Sequence, residues 1–121
     1  MILVDTSVWI DHLRRGEAEL ATALEREQVL MHPYVIGELA CGNLKNRDEI
    51  LALLQKLPRA KVASESEVLH FIERHRLMGR GIGYLDIHLL ASAALSEARL
   101  WTRDRRLDTV AGNLNLAFRT S

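Results

Sequence analysis

A chain of 121 residues, 48% hydrophobic and 26% charged, is long enough to close one core unaided, so a single domain over residues 1–121 is expected. Cys41 is the only cysteine, which excludes an intramolecular disulfide framework and a cysteine-built zinc site and fits a reducing, cytoplasmic setting. Sixteen acidic residues balance sixteen basic ones, so the overall field cannot hold a polyanion, and no apolar run approaches the roughly 20 residues that span a bilayer.

Ile2-Leu3-Val4 closing on Asp5 reads as a short buried strand, and Thr6 or Ser7 is placed to cap a helix through about Arg14. Gly16 breaks that helix. A second is expected from about Glu17 to Gln28, then a strand Val29-Leu30-Met31 ending at His32-Pro33, with Pro33 suited to a first helical position. The helix that Pro33 opens carries Glu38 and stops at Gly42-Asn43. Another spans Asp48 to Leu57, and Pro58 intervenes before a short strand Lys61-Val62-Ala63. Ser64 and Glu67 have capping-box spacing at the head of a helix through about Met78.

Gly79-Arg80-Gly81-Ile82-Gly83 reads as a mobile hinge, and Tyr84 to Glu97 as a helix apolar almost all round, the mark of a central element. Arg99 to Thr102 is the next strand, Asp104 to about Ala111 a short helix, and Leu116-Ala117-Phe118 a closing strand. Strands alternating with helices predict an α/β fold, a three-layer α/β/α sandwich with a central parallel sheet. Such sheets place their sites beyond the carboxyl ends of the strands, where Asp5 and Asp104 fall.

Four carboxylates stand at the edges of apolar segments. Asp5 ends the first strand, Asp104 follows Leu100-Trp101-Thr102 by one residue, Asp86 heads the helical row Leu89, Leu90, Ala93, and Glu38 borders Val35 and Gly42. Converging ionised acids are costly without cations, so the set implies Mg²⁺ or Mn²⁺, hard ions that take oxygen ligands. Each acid has a plainer explanation when taken singly: Asp5 or Asp104 as a helix cap, Asp86 as a first-turn acid, Glu38 as a surface partner of an arginine. The metal reading rests on the set. All but Lys45, Lys56 and Lys61 of the basic residues are arginine, and several flank these acids: Arg14, Arg15, Arg80, Arg103, Arg105 and Arg106. They read either as solvated surface pairs or as guanidinium forks for phosphate. The five histidines show no helical two-histidine zinc spacing, and the glycine-rich segment lacks the last glycine and the preceding strand of a dinucleotide loop.

The segments Val4-Asp5-Thr6-Ser7 with Trp9-Ile10-Asp11, Gly37-Glu38-Leu39, Asp86-Ile87-His88-Leu89-Leu90-Ala91 and Thr102-Arg103-Asp104, in this order, resemble the PIN-domain ribonucleases, specifically the VapC-type toxins of toxin–antitoxin pairs. The resemblance covers essentially the whole chain. It implies a Mg²⁺ or Mn²⁺ site made by Asp5, Glu38, Asp86 and Asp104, with hydroxyls of Thr6, Ser7 and Thr102 in support. It also implies endoribonuclease activity leaving a 5′-phosphate and a 3′-hydroxyl, a cognate antitoxin, and a homodimer. Asp5, at the most rigid position, is the candidate bridging ligand. Arg80, Arg103 and Arg105 are expected to position the RNA backbone, and an antitoxin to cover an exposed Trp9 while a basic side chain blocks the acids. The alternatives are a non-catalytic PIN-like module that binds RNA or protein, and a Mg²⁺-binding phosphoacceptor domain. The latter is disfavoured because no acid pair follows the first strand and no lysine follows Lys61.

Overall fold

The computed structural model describes residues 1–120. In chain order the elements are β1 (Ile2–Val4), α1 (Thr6–Arg15), α2 (Ala18–Glu25), β2 (Val29–Leu30), α3 (Pro33–Ala40), α4 (Arg47–Gln55), α5 (Glu65–His75), α6 (Tyr84–Leu95), β3 (Arg99–Trp101) and α7 (Arg105–Asn113). The strands form one parallel sheet in the order β2-β1-β3, with Ile2 opposite both Val29 and Arg99. β1 is therefore central, and all three of its side chains are buried, as an uninterrupted apolar triplet covered on both faces requires. Around this sheet the helices complete an α/β sandwich: α6 packs on β1 and β3, α7 on β3, α5 on α6, and α1 on α3.

Two expected strands are not formed. Two of the three amides of residues 61–63 are spent on α6 and its C-cap, the Lys61 N–H donating to Ser96 Oγ at 2.9 Å and that of Ala63 to Ser92 Oγ at 3.5 Å. The sheet edge is met slightly earlier, by a single parallel bridge between Met31 and Arg59. Pro58 is the reason, since its carbonyl accepts from Met31 and turns the chain back to the sheet at once. At the other edge Leu116–Phe118 contributes only the bridge Leu100–Ala117, although Arg99 reaches back with its guanidinium to the carbonyls of Asn115 and Ala117. The expected capping box forms: Ser64 Oγ accepts from the Glu67 N–H and Glu67 Oε1 from that of Ser64. That helix stops short of Met78 because Arg76 turns left-handed (φ 53°).

Trp9, expected at the surface, is only 2% exposed and belongs to the core with Leu3, Val4, Leu20 and Leu100. The neighbouring α1 residues Ile10 and Leu13 are the half-buried ones. His32 is also fully buried; Nδ1 accepts from the Tyr34 N–H at the start of α3, and Nε2 lies 3.1 Å from Ser92 Oγ.

Gly81 has φ +79°, and a Cβ there would stand 2.8 Å from Nη1 of Arg106, which lies across its backbone. Gly81→Ala combines a disfavoured conformation with displacement of that guanidinium. We expect a loss of about 1–2 kcal/mol, read as a lowered urea midpoint with unchanged slope.

Candidate active site

The parallel ladder between β1 and β3 delivers Asp5. Its N–H donates to Trp101 O at 2.9 Å, so Asp5 is the first residue past the last paired position of the central strand. Its carbonyl accepts from Val8 and Trp9 and so starts α1, but its side chain makes no capping bond. Instead Oδ2 accepts from Ser7 Oγ at 2.7 Å and from Thr102 Oγ1 at 2.8 Å, in a buried position. The capping explanation for Asp5 is thereby removed. Both hydroxyls are themselves held: Ser7 Oγ accepts from the Arg103 N–H at 3.0 Å and Thr102 Oγ1 from that of Asp104 at 3.1 Å. The β1 and β3 ends are stitched together through one carboxylate oxygen.

Glu38, on α3, comes beside the N-terminus of α1, where Thr6 Oγ1 donates to Oε1 at 2.8 Å. Asp104 does cap α7, Oδ1 accepting from the Leu107 N–H at 3.0 Å. Both acids are exposed, although Glu38 was expected on the inward face of its helix beside Val35. Asp86 is half-buried in the first turn of α6, and Oδ2 accepts from the Gly83 N–H at 3.2 Å. Burial raises its pKa above the usual aspartate value against the lowering effect of that bond, and the charges of Asp5, Asp104 and Glu38 raise it further. The fold thus brings the other three predicted acids within electrostatic reach of Asp86. Among the described residues no three such side chains close into a ready metal cage, and the hydrogen bonds just given hold each carboxylate beside its own neighbour.

The arginines divide. Arg80 and Arg105 are exposed, as is Arg106 over Gly81. Arg103, expected to contact RNA, is instead engaged by two acids, Nε lying 2.7 Å from Asp11 Oδ2 and Nη2 pairing with Glu17 Oε2. Its guanidinium ties the loop before α7 to α1 and the start of α2. Sequence reasoning missed this pairing, because the partners lie some ninety residues away and surface charge carries no period that would reveal them. It also missed a groove of about 540 Å³ between α1, α3 and the segment leading into α4, with Ile10, Leu13, Leu39 and Ile50 in its lining and Glu38 beside them.

The donor set fits a hard divalent cation: carboxylate and hydroxyl oxygens, with no thiolate or imidazole among them, around an aspartate whose charge lacks compensation. The PIN domain family model matches residues 2–113. Ribonuclease VapC32 of Mycobacterium tuberculosis is 49% identical over 119 residues, covering 98% of this chain and 96% of that protein. Among solved structures, FitAcB from Neisseria gonorrhoeae superposes with a TM-score of 0.66 at 20% identity, covering 97% of this chain and 95% of that one. PAE2754 from Pyrobaculum aerophilum does so with a TM-score of 0.61 at 18% identity, over 90% and 78%. The fold, the four acids in their order and a near full-length relative agree: the chain belongs to the PIN domain family, in its VapC branch.

Proposed function

We propose that this chain is an endoribonuclease dependent on Mg²⁺ or Mn²⁺, held in check by a cognate antitoxin. One observation carries the metal dependence: Asp86 is half-buried, and three further acids, Asp5, Glu38 and Asp104, raise the cost of its charge, which a divalent cation would offset. The ribonuclease reading follows from the 49% identity to Ribonuclease VapC32.

Asp5, Glu38, Asp86 and Asp104 would hold the metal, which when bound supplies an activated water and stabilises charge on the departing oxygen. The chain's own contribution is orientation. Ser7 and Thr102 both donate to Oδ2 of Asp5, which leaves Oδ1 as the oxygen available to a metal, and Thr6 holds Glu38 through Oε1 in the same way. Asp104 keeps one oxygen on the α7 amide and offers the other. Arg80 and Arg105, free of the pairing that occupies Arg103, would grip backbone phosphates.

The apolar groove beside Glu38 has the shape for an amphipathic antitoxin helix, and Arg14 and Lys45 in its lining suit acidic positions on that helix. A helix seated there ends near the acids, where a basic side chain would block them. Trp9 takes no part, being buried. A homodimer and a cytoplasmic location complete the reading.

Incubation of the purified protein with labelled structured and unstructured RNAs, with Mn²⁺ and with EDTA, tests it. Cleavage is expected only with the metal; intact RNA under every condition would refute it. In the same system Arg80→Ala and Arg105→Ala should each weaken RNA binding severalfold and flatten its salt dependence by roughly one unit of slope or less, leaving saturated single-turnover cleavage near the parent rate. Arg103→Ala should lower the melting temperature with little change in that slope.

A further inference from the structure

Four aromatic rings run from the core to the surface at the N-terminal end of α6. His32 is fully buried and held by Ser92; its ring centroid lies 4.9 Å from that of Tyr34, which lies 4.9 Å from His88, which in turn lies 4.8 Å from Tyr84. The last two contacts are edge-on, at 73° and 88°. His88 is 4% exposed and its Nδ1 has no hydrogen-bond partner, so what orders this residue is ring packing. Tyr84 is 45% exposed although it opens a helix whose residues from Ile87 to Ala93 are all buried. A perpendicular contact with one ring occupies only one side of Tyr84. Nearly half of Tyr84 is left to solvent.

Tyr84 lies in the same first turn of α6 as Asp86, and just before it Arg106 lies across Gly81. The Arg106 guanidinium over Gly81, the exposed Tyr84 ring and the Asp86 carboxylate, which accepts from the Gly83 N–H, are therefore gathered at the N-terminal end of α6. That is the chemistry of a nucleotide: phosphate, base and scissile linkage. We propose that Tyr84 is a stacking platform for an unpaired nucleobase next to the cleaved linkage, a proposal that rests on the ribonuclease reading for its place in the reaction but not for the binding itself. Stacking on an already ordered ring loses little side-chain entropy, and it selects unpaired RNA because paired bases offer no free face.

Two measurements on the full chain test this, using a fluorescein-labelled unpaired 12-nucleotide RNA and a duplex of the same length. Tyr84→Leu removes one of the ring contacts on His88 and should lower the melting temperature by only a few degrees, leaving the chain folded under assay conditions. It should raise Kd for the unpaired RNA, measured by anisotropy in EDTA, and KM for its cleavage in Mn²⁺, each by roughly tenfold. Both duplex values and kcat should hold, and Tyr84→Trp should restore parent behaviour. Unchanged Kd and KM in Tyr84→Leu overturn the platform while a cleaving parent keeps the nuclease reading. A parent that cuts no RNA but binds the unpaired strand in a Tyr84-dependent way refutes the nuclease reading and supports the platform. Equal losses on duplex and unpaired RNA, or losses that track a change in sedimentation state, also overturn it, pointing to phosphate contact or to a subunit interface.

Discussion

Asp86→Asn is expected to lower metal-dependent cleavage by at least about a hundredfold and, at the same time, to raise the melting temperature of the metal-free protein by a few degrees. The two effects share a cause. Burial and the charges of Asp5, Asp104 and Glu38 all disfavour the ionised carboxylate of Asp86, so at neutral pH the empty site carries a repulsion that the neutral amide lacks. Asparagine retains an oxygen to accept from the Gly83 N–H, so the first turn of α6 stays anchored while charge alone is removed. Because the folded pKa of Asp86 is raised, the stability it contributes is fully present at low pH and declines as pH rises through that value. Metal-free parent and variant should therefore converge in acid and separate toward neutrality. Calorimetric titration with Mn²⁺ gives the complementary result, heat in the parent and none in the variant. Equal Mn²⁺ binding by both would remove Asp86 from the metal site, and a lower melting temperature for the variant would show that its charge is structural.

His32 should impose a second pH dependence, larger in stability and remote from catalysis. Burial lowers its pKa from 6.5 to about 4, with His88 and Arg59 adding to the shift, and Nδ1 is already occupied as an acceptor from Tyr34. Protonation is then favoured in the unfolded chain. The contribution of His32 is fully present above pH 6.5, falls at up to roughly 1.4 kcal/mol per unit below it, and is lost by about pH 4, about 3 kcal/mol in all. Burial lowers the pKa of His88 as well, so its effect runs in the same direction. His32→Asn can still accept from Tyr34, asparagine being a good N-cap, but forfeits the contact with Ser92. We expect it to be less stable than the parent at pH 7.5 and to show a shallower decline between pH 6.5 and 4.5 in urea denaturation. An equally steep decline in the variant would assign the acid sensitivity to other groups.

Where an element is made by contacts close in sequence, the chain announced it. Pro33 marked the start of α3, Ser64 and Glu67 wrote the capping box of α5, and the apolar stretch from Ile87 to Ala93 identified the buried α6. Ile2-Leu3-Val4 similarly marked the central strand. The four acids stood out as candidates because a carboxylate beside an apolar segment is conspicuous at any distance from its partners, and their order resembles a family pattern.

Other features depended on partners that no local pattern records. Lys61-Val62-Ala63 has the composition of a strand and became a loop, because Ser92 of α6 and Ser96 at its C-cap offered two of its amides hydroxyl acceptors. Trp9 and Ile10 are neighbours on one helix, and only the packing of α1 against the core decided that the tryptophan is inside and the isoleucine lines a groove. Arg103 looked like any other arginine of its cluster until Asp11 and Glu17 came within reach and took it out of the set available to a phosphate. By itself the sequence determined which residue types this protein could bring to a metal and on which local elements they sit, since those follow from period, capping and composition. Only the tertiary structure decided that Thr102 occupies an oxygen of Asp5 and which arginines are free, since each of these is set by a hydrogen bond or an ion pair between residues far apart in the chain.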